Sequence, residues 1–153
     1  ATGVHLNKKD FDNKVKLFYQ HWEKNTEFDA FLFTMGKITR DLNQINIKAL
    51  HHWLLKYEFS ETQLLITKEK IVFLGSPKKK AFLKEVSEEF KDKIEILTRD
   101  VRVDDNTDVY KDFYGFITKK NPKVGIFTQD VCTGKLVEET YKNMPVDFEK
   151  VDA

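Results

Sequence analysis

Few residues in this sequence could do chemistry, and their spacing decides what kind. The histidines are His5, His21, His51 and His52. Adjacent helical side chains point about 100° apart, so His51 and His52 cannot close on one metal ion together. One is expected beside the core and the other in solvent. No His-Glu-x-x-His, paired Cys-x-x-Cys or EF-hand spacing occurs. No metal or cofactor is expected. Cys132, the single cysteine, follows an apolar strand pattern with no histidine nearby in sequence, and is expected to fill a loop pocket. No Gly-x-Ser-x-Gly elbow is found. Ser76 before Pro77 reads as the N-cap and first position of a helix. Loops that cradle phosphate need clustered glycines, and the six glycines here are dispersed. The carboxylate pairs Glu88-Glu89, Asp104-Asp105 and Glu138-Glu139 sit in charged surroundings and are expected on solvated surface. No catalytic residue emerges, and the chain is expected not to be an enzyme.

The elements that would carry these residues follow from periodicity. Phe11, Val15, Phe18 and Trp22 form one stripe of a first helix, from about Asp10 to Trp22. Phe28 to Thr34 is too continuously apolar for an exposed strand. A second helix spans about Ile47 to Tyr57, with Leu50, Trp53, Leu54 and Tyr57 facing inward. Thr62 to Thr67 and Ile71 to Leu74, split by Lys68-Glu69-Lys70, predict an antiparallel hairpin. A third helix starts at Pro77, with Phe82, Leu83, Val86 and Phe90 inward. A strand at Ile94 to Thr98 follows, then a helix from Asn106 or Thr107 to Lys119 with Val109, Phe113, Phe116 and Ile117 inward. Val124 to Phe127 is a short strand, Gly134 to Asn143 a helix, and Val146 to Val151 a closing strand. Strands and helices alternate after a leading helix, so the fold class is α/β, a mixed sheet with helices on both faces.

Composition narrows the function classes. The chain has 153 residues, 41% hydrophobic and 33% charged, the size and balance of one globular domain. The net charge is +1, and arginine occurs only at Arg40, Arg99 and Arg102. A sequence-independent grip on nucleic acid needs a basic surplus to displace counterions, so the balance argues against direct nucleic-acid binding. One cysteine favours a reducing compartment, cytoplasm or nucleus. No apolar run approaches the roughly 20 residues of a membrane span, and the N-terminus lacks a signal peptide's apolar stretch. Ala1-Thr2-Gly3 and the end at Ala153 are expected of a domain excised from a longer chain. Charge is nevertheless uneven. Lys78, Lys79 and Lys80 occupy the first turn of the third helix, the wrong end for the helix dipole, while Glu138 to Asp152 leans acidic.

The order of residues resembles a known family. Leu17-Phe18-Tyr19-Gln20-His21-Trp22, Phe28-Asp29-Ala30 through Gly36, and above all Ala49-Leu50-His51-His52-Trp53-Leu54-Leu55-Lys56-Tyr57-Glu58-Phe59 are similar to blocks of the large-subunit family of FACT, the eukaryotic histone chaperone. Lys70-Ile71-Val72-Phe73-Leu74-Gly75-Ser76 with Lys78-Lys79-Lys80 and Phe82-Leu83-Lys84 continues the likeness. Val124-Gly125-Ile126-Phe127, Asp130, Gly134-Lys135 and Phe148-Glu149-Lys150-Val151-Asp152 complete it, with Leu136 where the family usually has phenylalanine. The resemblance implies the first lobe of an aminopeptidase-like domain, with a ribonuclease H-like creatinase/prolidase N-terminal fold. It also implies a second, pita-bread lobe beyond this chain, where true peptidases keep two Asp, one His and two Glu as metal ligands.

By that resemblance the chain is a nuclear, chromatin-associated, non-catalytic module that binds core histones or their tails during nucleosome reorganisation in transcription, replication and repair. The FACT small subunit would be met through other domains of the longer protein. Candidate partner contacts are Ser76, Lys78, Lys79 and Lys80 at a helix start, and the acidic Glu138, Glu139, Asp147 and Glu149. Basic histone tails suit the acidic group; acidic histone surfaces suit the lysines. The alternative is the first lobe of a metal-dependent X-Pro aminopeptidase or dipeptidase; a third reading is a scaffold lobe that only stabilises its neighbour.

Overall fold

A computed structural model of the protein describes residues 8–24, 27–36, 45–55, 59, 61–87, 89–100, 102, 106–127, 130 and 132–152. The elements are α1 (Lys8–Lys24), β1 (Ala30–Met35), α2 (Ile45–Leu55), β2 (Thr62–Ile66), β3 (Ile71–Gly75), α3 (Pro77–Leu83), β4 (Ile94–Thr98), α4 (Thr107–Gly115), β5 (Lys123–Ile126), α5 (Lys135–Lys142) and β6 (Glu149–Asp152). The strands form one sheet in the order β4-β3-β2-β1-β5-β6. β1, β2 and β3 make an antiparallel meander, while β4 joins β3, β5 joins β1 and β6 joins β5 in parallel. This mixed α/β architecture is the expected class, and the meander continued by parallel β5 and β6 fits the ribonuclease H-like arrangement.

Side-chain alternation along the strands divides the core into two layers. Phe31, Phe33, Met35, Leu64, Ile66, Ile71 and Phe73 face one side, against Phe11, Val15 and Trp22 of α1 and Ile47, Leu54 and Leu55 of α2. Ala30, Leu32, Leu65, Val72, Leu74 and Val124 face the other, against Tyr110, Phe113 and Tyr114 of α4 and Leu136 of α5. A sheet covered on both faces needs apolar residues at consecutive strand positions, which explains the unbroken runs in β1 to β3. The first layer centres on Phe31, whose ring lies 4.8–5.6 Å from those of Phe18, Trp22, Phe28 and Phe33.

Helix ends and phases depart from the sequence reading in α2, α3 and α4, the buried face of α4 being Tyr110, Phe113 and Tyr114, with Val109, Phe116 and Ile117 only partly buried. α3 stops at Leu83 and does not reach Phe90. The Ser87 hydroxyl pairs with the Asp12 carboxylate, and these groups accept the amides of Phe90 and Glu89, replacing further helical turns. Val86 is still buried through this turn and Phe90 half-buried. α4 ends at Gly115, not Lys119. In α2 the inner stripe is Ile47, His51, Leu54 and Leu55; Trp53 is 37% exposed, with the Lys14 ammonium 5.0 Å above its ring. Tyr57 lies outside the described residues.

Candidate functional site

The basic candidates sit where β3 runs out. β3 ends at Gly75, Ser76 takes the extended N-cap conformation (φ −74°, ψ 156°), and Pro77 opens α3. Proline is suited to that position because its missing amide hydrogen would have no partner there. The Ser76 side chain makes no capping bond; its carbonyl instead accepts from the Lys79 amide at 3.1 Å. The position was legible, but the hydroxyl's expected capping bond is not formed. The three lysines also divide. Lys78 and Lys80 are exposed, whereas Lys79 lies back toward the strand end. Burial pushes its ammonium pKa down, with Glu61 opposing. Lys78 and Lys80 thus stand exposed on a turn at the carboxyl end of β3 that begins at the half-buried Ser76.

The acidic candidates do not form one group. Glu138 is exposed on α5. Asp147 and Glu149 are exposed at the start of β6, where the Asp147 carboxylate accepts the Asn121 amide at 3.0 Å. Glu139 must be removed from the set. Far from being solvated, it is buried and grips Arg99 through two bonds, from Nε and Nη2, each 2.9 Å long. Asn106 Nδ2 reaches both carboxylate oxygens at 3.3 Å, and Asn106 is tied in turn to the Asp100 amide and carbonyl. Beside this pair, Thr34 donates to Gln63, Gln63 to Thr140, and Thr140 to the Leu136 carbonyl. Tyr110 joins at Thr140 (3.1 Å) and Leu136 (3.3 Å). A buried polar chain with its members satisfied is a registration device for α4 and α5 on the sheet. Sequence reasoning passed over it, although Arg99 directly after a strand and Gln63 inside an apolar run were signals.

Burial pushes the Tyr110 phenol up to about 12. A phenol raised above its unfolded value stabilises the fold below pH 10 and loses that contribution as pH rises through its folded value. Denaturation between pH 10 and 12 should therefore show Tyr110→Phe losing about 2 kcal/mol less stability across that window than the parent chain. Parallel pH profiles for the two would contradict the buried placement.

A crevice of about 330 Å³ opens at the carboxyl ends of β1 and β5, lined in part by Thr34, Asp130, Cys132 and Tyr141. The helices after these two parallel strands pass to opposite faces, which is where ligands enter open α/β sheets. Its groups are occupied, however. Asp130 caps α2, accepting from the Ile47 amide at 2.8 Å and from Asn46. The Cys132 thiol points to the Thr34 carbonyl at 3.5 Å, and burial pushes its pKa up, as suits a loop filler and not a nucleophile. Gly134 adopts φ 121°, open to glycine almost alone. A Cβ at Gly125 would meet the Phe31 ring at 2.6 Å. The residues that carried the resemblance in this segment are therefore structural. His51 is buried, its Nδ1 accepting the Phe59 amide at 3.1 Å, while His52 is exposed, the split expected from helix phase. Among the described residues no group of three His, Cys, Asp or Glu side chains is placed to hold a metal. No helix among them is long and apolar enough to cross a membrane. Glu88, Asp104 and Asp105 lie outside the described residues; Glu89 is exposed and pairs with Lys16 at 2.7 Å.

Comparison with known proteins bears on what such a lobe does. Residues 6–153 match the family model described as the FACT complex subunit SPT16 N-terminal lobe domain. The FACT complex subunit ctc-2 of Neurospora crassa is 28% identical over 99% of this chain and 16% of its own length. This chain thus spans about a sixth of that relative. The N-terminal domain of FACT complex subunit SPT16 from Cicer arietinum superposes with a TM-score of 0.83, at 24% identity, over 97% of this chain and 36% of that one. A creatinase/prolidase-like N-terminal domain from Corynebacterium diphtheriae gives 0.55 at 16% identity, over 95% and 96% of the two chains, a likeness of fold alone. The exposed basic turn and the buried Arg99–Glu139 pair therefore sit on a lobe of known lineage, and the chain belongs to the FACT SPT16 N-terminal lobe family.

Proposed function

We propose that this chain is a non-catalytic histone-chaperone module, the first lobe of a longer FACT large subunit acting on chromatin in the nucleus. The observation that carries the reading is the family match across residues 6–153. Its partners are core histones, and the small FACT subunit is met through domains outside this chain. The compact turn of Ser76, Lys78 and Lys80 is the better-defined contact, because its charges stand together at one strand end. It suits acidic histone surfaces, with Lys79 positioning the turn through its half-buried stem. Glu138, Asp147 and Glu149 remain exposed for basic tails but are spread over α5 and the start of β6. The creatinase-like fold supports a common architecture, not a peptidase reading for this lobe. Purified core histones should be retained by the immobilised chain above a protein of matched charge; equal retention by the two would refute histone binding by this lobe.

A further inference from the structure

The helix start at Ser76-Pro77 accounts for the proline but leaves the serine hydroxyl without a task. Pro77 fills the first position of α3, and Ser76 holds the extended N-cap conformation without a side-chain capping bond. Among the described residues its hydroxyl is bonded to no other group. Ser87, by contrast, is buried and pairs with Asp12. The dipeptide is also singular in the sequence. Of the three prolines, Pro77 alone follows a serine or threonine; the others follow Asn121 and Met144.

A proline directly after serine is what one class of protein kinase reads. Its ring fills an apolar pocket of the enzyme, where any other residue would bury an unpaired backbone amide. Such an enzyme takes its serine from extended backbone, the conformation that a following proline enforces and that Ser76 already has, at φ −74° and ψ 156°. Pro77, Lys78, Lys80 and Ala81 are exposed, and Ser76 is half-buried. Access to the hydroxyl asks little of the fold. α3 has seven residues, too few to be stable without packing. That packing comes from Phe82 and Leu83 at its far end. At Ser76 the first turn is closed by one bond, from the Lys79 amide to the Ser76 carbonyl at 3.1 Å. The turn can therefore open while Phe82 and Leu83 stay seated.

We propose that Ser76 is a phosphorylation site for a proline-directed serine/threonine kinase, and that the phosphate switches off the basic turn. Ser76 Oγ attacks the γ-phosphorus of a nucleoside triphosphate held by the kinase. The Oγ–P bond forms as the bond from that phosphorus to the β–γ bridging oxygen breaks. The nucleoside diphosphate leaves with the electron pair, and the hydroxyl proton passes to the kinase's carboxylate base. The ester brings about 1.5–2 negative charges at neutral pH, set against the three lysines that follow it, Lys78, Lys79 and Lys80. An acidic histone surface then meets a turn close to neutral. Lys68 and Lys93, which lie over the Trp22 and Tyr19 rings, stand at the opposite end of β3 and β4, so their surface keeps its charge. The switch rests on the histone reading of the turn; the modification itself does not.

The test treats the folded 153-residue chain with a purified cyclin-dependent kinase and ATP, and locates the phosphate by peptide mass spectrometry. Phosphate on Ser76 is expected, absent in Ser76→Ala and reduced at least about tenfold in Pro77→Ala. Circular dichroism of both variants keeps a folding defect apart from loss of the acceptor or its proline. The phosphorylated chain should then bind labelled core histones at least about tenfold more weakly than the untreated chain, with phosphatase restoring the affinity. No phosphate on Ser76 of the folded chain, or equal modification of Pro77→Ala, overturns the site. Unchanged histone affinity after phosphorylation overturns the switch. A parent chain that binds no histones removes the switch together with the histone reading, while the mass spectrum still decides the site.

Discussion

Replacing Glu139 by alanine should cost about 3–5 kcal/mol of stability, measured as a lowered urea midpoint at unchanged slope. The Arg99 and Glu139 side chains are only 4% and 9% exposed, and among the described residues the guanidinium has no second carboxylate bonded to it. Truncation leaves that cation buried and uncompensated, which costs far more than the pair contributes in place. Asn106 Nδ2 loses two acceptors at the same time. A concurrent Arg99→Met removes the orphaned charge, so Arg99→Met with Glu139→Leu should recover most of the loss. Glu138→Ala, one residue away on the exposed side of α5, should change stability by less than about 0.5 kcal/mol. A Glu139→Ala cost as small as that of Glu138→Ala would mean the pair is open to water and Glu139 belongs with the surface acids after all.

Phe31→Ala should cost a similar amount, about 3–5 kcal/mol, because the ring closes the aromatic cluster of the first layer. The same ring explains Gly125. A methyl group there would sit 2.6 and 2.8 Å from two Phe31 ring carbons and 3.1 Å from Phe28. Gly125→Ala alone should therefore cost about 1–3 kcal/mol through overpacking. In a Phe31→Leu background the added methyl has room, so its cost should fall by at least about 0.5 kcal/mol. Strict additivity in that cycle would show that Gly125 is needed for something other than the ring above it.

The sheet was readable because its cause is local. Continuous apolar runs bounded by Gly36, Lys68-Glu69-Lys70 and Gly75-Ser76-Pro77 mark buried strands, and β4 falls at Ile94–Thr98 as expected. The His51/His52 split followed from helix phase alone. What stayed hidden depends on residues far apart in the chain. Nothing near Glu139 distinguishes it from Glu138; its partner is forty positions away. The turn that follows α3 is held by Asp12, on α1, which takes the amide of Glu89. Trp53 was misplaced for a subtler reason. Leu50, Trp53 and Leu54 share a plausible stripe, but Ile47, His51 and Leu54 are the residues that meet the sheet, one step round the helix. The exposure of Lys78 and Lys80 was legible, because charge and a strand end coincide there; that of Glu139 was misread, because a carboxylate was judged by its neighbours alone.

The reading of this lobe as a histone-binding module rests most directly on one titration. Labelled core histones are added to the 153-residue chain at physiological salt, beside Lys78→Glu with Lys80→Glu and beside Lys68→Glu with Lys93→Glu. The parent chain should bind saturably, the Lys78/Lys80 variant at least about tenfold more weakly, and the Lys68/Lys93 variant within about twofold of the parent. Binding no stronger than to a charge-matched control, or full affinity in the Lys78/Lys80 variant, would contradict it.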